Sequence, residues 1–151
     1  MDTSALAAFL VEAKKNTYAS GSGKAASSRK ASHDLSYRSG DFAYLDSYFG
    51  GVAFGGEEAV YFKDDPVWTM NYYGKTLIPN VPQGFIETLK AALMQVQPAA
   101  PYRGPAELRN GQFLYTCTSN GGLDFFHGVE AISHAGKEIY RLYFHGGLVV
   151  A

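Results

Sequence analysis

Apolar positions along this chain follow two rhythms. Leu6, Phe9, Leu10 and Ala13 recur at i, i+3, i+4 and i+7, the stripe of an amphipathic helix. Asp2, Thr3 or Ser4 can cap its start, and Lys14 and Lys15 suit its C-terminal end. A second stripe, Phe85, Ile86, Leu89, Leu93 and Val96, predicts a helix that opens near Pro82 and is stopped by Pro98. Between and after these stripes the period is two, as in strands. DLSYRSGDFAYLDSYFGG reads as a hairpin turning near Ser39-Gly40-Asp41. VAFGGEEAVYFKDDPVWTMNYYGK reads as another, turning at Lys63-Asp64-Asp65-Pro66, with Gly55-Gly56 as a bulge or bend. PAAPYRGPAELRNG reads as an irregular connection. QFLYTCT, LDFFHGVEAIS and EIYRLYFHGGLVV predict three more strands, with Ala135-Gly136 as the last turn.

The stretch ASGSGKAASSRKASH, residues 19–33, fits neither rhythm. It is small, polar and basic, and reads as a solvated loop. The sharper alternative is a mobile lid or anion-binding arm carrying Arg29 and Lys30. Its GSGK is no phosphate loop. That motif needs a further Gly where Tyr18 stands, Ser or Thr where Ala25 stands, and a preceding strand rather than a helix.

The two halves of the chain resemble each other. EAVYFKDDPVWTMNYYG, from Glu58, lies without gaps on EAISHAGKEIYRLYFHG, from Glu130. LSYRSGDFAYLDSYFGG, from Leu35, lies on FLYTCTSNGGLDFFHGV, from Phe113, matching Tyr37 with Tyr115, Asp46 with Asp124 and Gly50 with Gly128. Each half, about 1–75 and 82–151 of one domain, reads as a helix followed by an antiparallel meander. Alternation then sorts the faces. Trp68, Met70 and Tyr72, with Tyr140, Leu142 and Phe144, are large and apolar and are assigned to the core beneath the helices. Val67, Thr69, Asn71 and Tyr73, with Ile139, Arg141, Tyr143 and His145, face the other way. Aromatics mixed with amide and cationic groups there suit a concave ligand surface, or alternatively a surface that meets a second subunit.

Composition narrows the function classes. The 151 residues carry a net charge of −1, 46% apolar residues and 18% charged ones, so no global pull toward nucleic acid or anionic membrane is expected. Seventeen Gly with 21 Tyr plus Phe suit a strand-rich protein with many tight turns. A single cysteine, Cys117, suits a reducing cytoplasm. MDTSALAAFLVEAKK starts acidic and is broken by Glu12, so neither a signal peptide nor a membrane span is expected.

Chemistry-bearing motifs are sparse. His33, His127, His134 and His145 form no HxH or HExxH pair, so no metal is expected, and nothing calls for a cofactor. Glu57 and Glu58 are adjacent in a strand and point to opposite faces. Glu58 recurs as Glu130 and Asp46 as Asp124, which suggests structural roles in strand pairing and turns. Cys117 lacks a local activating base and reads as a half-buried strand cysteine.

At DSYFGG (46–51) and PVWTMNYYG (66–74) the chain resembles a bacterial family catalogued only as a domain of unknown function. The similarity extends through NTYASGSG (16–23), SSRKASHDLSYRSGD (27–41) and FGGEEAVYF (54–62), most strongly over residues 6–75. The resemblance implies a small domain that stands alone or follows an N-terminal helix-turn-helix domain in regulators; it carries over no activity, cofactor or catalytic residue. The expectation is an α+β fold, two helices packed on a curved antiparallel sheet with pseudo-twofold duplication. The expected role is non-catalytic binding of a small anionic or aromatic molecule. Asn71, Tyr73, Arg141, Tyr143 and His145 would line the site, and Arg29 and Lys30 would close it. The rival is an interaction or homodimerisation module using the same face. An enzyme, with His145 or His127 as base and Tyr73 as acid, comes third.

Overall fold

The first helical stripe folds as its spacing dictates. In a computed structural model that describes residues 2–150, α1 spans Thr3–Lys15, and Asp2 caps it by accepting a hydrogen bond from the Ser4 amide at 2.9 Å. Leu6, Phe9, Leu10 and Ala13 are buried, and burying each large one contributes roughly 1.5–3 kcal/mol. A short 3-10 turn follows at Tyr18–Ser20. The strands are β1 (Lys24–Ala25), β2 (His33–Ser39), β3 (Phe42–Gly50), β4 (Ala53–Phe62), β5 (Asp65–Thr76), β6 (Glu107–Asn110), β7 (Phe113–Gly122), β8 (Phe125–His134) and β9 (Lys137–Leu148), with α2 (Phe85–Leu93) between β5 and β6. The chain is thus α+β and mostly sheet.

Among the described residues all nine strands join one antiparallel sheet, ordered β1-β2-β3-β4-β5-β9-β8-β7-β6. Two meanders therefore meet at the β5–β9 seam, where Asn71 lies opposite His145, Tyr72 opposite Phe144 and Tyr73 opposite Tyr143. Both helices pack on the face that carries Tyr44, Trp68, Met70, Tyr140, Leu142 and Phe144. Phe9 of α1 stacks on Phe42 at 4.9 Å, and Phe85 of α2 meets Tyr140 edge-on at 5.4 Å. Trp68 is fully buried and stacks on Phe126 at 5.6 Å. Its indole Nε1 is the one sealed side-chain polar atom without a partner among the described residues.

Five expectations need correction. The second helix begins at Phe85, not near Pro82, because Gly84 takes a left-handed φ of 94° and a turn precedes it. Ile86 points outward at 46% exposure, and the buried stripe is Phe85, Thr88, Leu89, Ala92 and Leu93. Gly55-Gly56 is no bulge: both are regular ladder positions opposite Tyr73 and Tyr72. The register instead slips between Val60 and Tyr61, leaving Val67 unpaired beside Pro66, whose missing N–H a regular ladder would need. A second slip between Ile132 and Ser133 leaves Ile139 unpaired, and there the alternation fails: Ile139 is buried rather than outward. The connection read as irregular holds β6, whose Leu108 pairs with Tyr115.

Candidate functional site

The open face of the sheet holds most of the residues expected to form a site. Asn71, Tyr73, Tyr143 and His145 make a two-by-two patch across the β5–β9 seam, and Tyr73 and Tyr143 are 56% and 55% exposed. His127 lies opposite His145 on β8. Arg141 flanks the patch but is occupied. Its Nε and Nη2 donate to Glu138 at 2.6 and 2.7 Å, and its Nη1 to the Tyr143 hydroxyl at 3.3 Å. Arg29 does reach this face, two strands away on β3. It donates to Ser47 Oγ at 3.1 and 2.9 Å and to the Ser47 carbonyl at 2.5 Å, and its guanidinium lies 4.5 Å from the Phe49 ring centre. Lys30 is exposed in the turn beyond it.

The arm is pinned rather than loose. Asp34 accepts from the Ser28 amide at 2.9 Å, Ser32 Oγ at 2.7 Å and Ser47 Oγ at 2.8 Å. Burial alone would raise its pKa, but these bonds outweigh it and hold the carboxyl well below the usual range. The serines and Arg29 of SSRKASHD therefore form a clasp around one buried acid.

The cavity with the most chemistry lies on the opposite, helix-covered side. It measures about 170 Å³ and sits between α1 and its 3-10 turn, α2, the 102–103 connection and strands β3 to β5. Tyr18, Tyr44, Tyr48, Phe54, Tyr72 and Tyr102 wall it with rings; Leu89, Leu93 and Val96 add aliphatic surface; Lys14, Asp46, Glu58 and Arg103 reach it as ionisable groups. Exposed Gly50 and Gly51 of the β3–β4 turn stand among its lining. A second cavity, about 440 Å³, is lined by the 95–106 connection with Cys117, Thr118 and Ser119. Burial, then Glu130, push the Cys117 thiol up to about 12, so it is not a ready nucleophile. Neither cavity is lined by Asn71, Tyr73, Arg141, Tyr143 or His145.

Two buried ion pairs frame the first cavity. Lys14, at the end of α1, donates to Glu58 of β4, and both are buried. Arg103 donates to Glu130 of β8 by two bonds, at 3.0 and 2.8 Å, while the hydroxyls of Tyr115 and Tyr140 donate to the same carboxylate at 2.6 and 2.9 Å. Desolvation lowers the Lys14 pKa against the pull of Glu58. It opposes the Arg103 charge too, yet Glu130 and the tyrosines hold that guanidinium firmly protonated. Asp46 is the third acid. It lies opposite Glu58 across the β3–β4 ladder and is 6% exposed, and it takes a 2.6 Å hydrogen bond from the Tyr72 hydroxyl. Burial, then the Glu58 carboxyl, raise Asp46 to about 7, outweighing Tyr72 and the charges of Lys14 and Arg103. Burial, then Asp46, in turn push the Tyr72 phenol far up.

Sequence reasoning assigned Tyr72 to the core and Asp46 to a structural role in strand pairing or turns, and so missed this site. A signal was present. Phe42, Tyr44, Asp46 and Tyr48 alternate onto one face of one strand, which puts an acid among inward-facing aromatics. Across the ladders Asp46 faces Glu58 and Tyr44 faces Val60, while Cys117 faces Glu130 and Tyr115 faces Ile132. Arg103, in a stretch of Pro, Ala and Gly, gave no periodic signal.

Among the described residues no group of three His, Cys, Asp or Glu is placed to hold a metal ion, and no helix is long and apolar enough to cross a membrane. No curated protein and no solved structure matches the chain. One family model, described as Domain of unknown function (DUF5680), matches residues 46–149. The match begins at Asp46 of the cavity wall, takes in DSYFGG and PVWTMNYYG, and covers well over half of the sequence. The chain therefore belongs to the family of domain of unknown function DUF5680.

Proposed function

We propose that the protein is a non-catalytic small-molecule-binding domain, of the sensing kind, whose ligand occupies the cavity between the helices and strands β3 to β5. The carrying observation is the lining itself: a preformed space of about 170 Å³, mostly aromatic and aliphatic, with a few convergent polar groups. The stretches that carry the family resemblance supply much of it, including Tyr18, Asp46, Tyr48, Phe54, Glu58 and Tyr72. Attachment of similar domains to helix-turn-helix regulators, as the resemblance implies, fits a sensing role, and the single free cysteine fits a cytoplasmic one.

The sensing reading goes with an origin of the sheet by duplication. Support comes from the strand order, which mirrors about the β5–β9 seam. The register slips fall at Val60 and Ile132, the turn glycines Gly50 and Gly121 have φ of 89° and 92°, and Glu58 and Glu130 each hold a buried cation.

Thermal-shift screening against a metabolite panel tests the reading. A binding metabolite raises the melting temperature of the wild type, and Leu93→Phe, which narrows the cavity, removes that rise. Ligand recovered unchanged separates binding from turnover. A panel with no hit, or a hit indifferent to Leu93→Phe, defeats the proposal. A partner surface on the open face is the second reading, favoured by Phe49, Tyr73, Phe125 and Tyr143, all exposed there.

A further inference from the structure

The geometry points to a small monocationic amine as the occupant of this cavity, held by Asp46 and the ring walls; the inference rests on the ligand-binding reading above. Lys14 is matched by Glu58 and Arg103 by Glu130, each by direct contact. Asp46 is left without a counter-charge of its own. Its Oδ1 accepts from Tyr72, and no donor among the described residues serves its other oxygen. That oxygen is not sealed, since Trp68 Nε1 is the only sealed orphan among the described residues. It therefore borders the cavity that Asp46 lines. A carboxyl more than nine-tenths buried, with one free oxygen facing an apolar space, calls for a donor that brings positive charge.

The rest of the wall suits the same ligand. Tyr18, Tyr48, Phe54 and Tyr102 present ring surface, which attracts an ammonium group through its quadrupole. An anion meets no free partner there, because both cations are spent on glutamates. The groups facing Asp46 are Glu58 from β4, Lys14 from α1, Tyr72 from β5, Tyr44 and Tyr48 from β3, Tyr18 from the 3-10 turn and Arg103 from the connection after α2. The two cations oppose a ligand cation, and the two carboxyls favour it. With Asp46 ionised and Glu130 counted beside its partner Arg103, three carboxylates face two cations, leaving one net negative charge that an amine neutralises.

A charge series on one scaffold tests this: benzylamine, benzyltrimethylammonium, benzyl alcohol and benzoate, titrated calorimetrically into the wild type. The two cations bind at least about tenfold more tightly than the alcohol or the acid, as expected for one buried ion pair with ring contacts. Asp46→Asn, checked for folding by circular dichroism, weakens both cations by about tenfold or more. Benzyltrimethylammonium has no proton to lose, so its binding weakens from about pH 8 to about pH 6 only if the protein takes one up. Benzyl alcohol or benzoate binding as well as benzylamine overturns the amine inference and leaves the cavity reading standing. So does cation binding that ignores both Asp46→Asn and pH. No binding by any of the four overturns the inference as well, and the cavity reading falls with it only if the metabolite panel is also silent.

Discussion

At the scale of single residues, Asp46 makes stability depend on pH in a direction opposite to that of a typical surface carboxylate. The folded chain keeps its proton up to about pH 7, whereas an unfolded chain releases it near pH 4. Its stabilising contribution is therefore complete below about pH 4 and is lost as the pH rises through about 7. Asp46→Asn should flatten this slope and raise stability at pH 8 by on the order of 1 kcal/mol, measured by urea unfolding at several pH values. Glu130 has the opposite character. It answers Arg103 and two phenols at once, so Glu130→Ala strands a buried guanidinium and should cost about 3–5 kcal/mol in the same assay. Gly56 shows how the cavity gets its room. A Cβ there would stand 2.6 Å from both Tyr48 Cβ and the Tyr72 hydroxyl. Gly56→Ala should displace the phenol from Asp46 and raise a ligand's Kd, and it should lower the melting temperature too, because the Ser47 carbonyl, 2.7 Å from the added Cβ, is backbone and cannot swing aside.

At the scale of elements, the segment from Ser27 to Asp34 behaves as a clasp that fastens the chain to β3. Asp34→Asn keeps the shape but weakens three hydrogen bonds, and Arg29 should then be released from Ser47. Limited trypsin digestion reads this as faster cleavage after Arg29 or Lys30 in the variant than in the wild type. Because the Asp34 carboxyl is held below its ordinary range, its contribution is present above about pH 4 and fades as acid protonates it. This element was only half legible in the sequence. Composition marked residues 19–33 as polar and exposed, which most of them are, but a hub made from one aspartate and scattered serines leaves no periodic trace. Helix α1 and the turn at Lys63-Asp64 were legible, since cap, stripe and turn chemistry are local. The start of α2 was not, because Pro82 is a good first helical residue and only the left-handed Gly84 delays the helix.

At the scale of the whole molecule, one sheet face is covered by helices and the other is bare, and the two prospective surfaces lie back to back. The sequence revealed which side chains share a face wherever the ladder is regular, because alternation decides that; at the slip that buries Ile139 it did not. It could not show where helices leave a gap, because a cavity depends on how α1, α2 and the 102–103 connection approach the sheet from distant parts of the chain. If the bare face is an interface, analytical ultracentrifugation should show a concentration-dependent dimer that Tyr73→Lys with Tyr143→Lys abolishes, with no effect on cavity ligands. A monomer at all concentrations would exclude that second reading. Finally, the chain holds one tryptophan, and Trp68 lies with the Lys14 ammonium 6.0 Å from its ring centre, on the same ion pair that borders the cavity. The molecule thus contains its own optical reporter. Emission from a dry indole beside a charge shifts when that charge moves or is neutralised. Fluorescence of the unlabelled protein should follow both the titration of Asp46 and the filling of the cavity, while binding on the bare face leaves the emission unchanged.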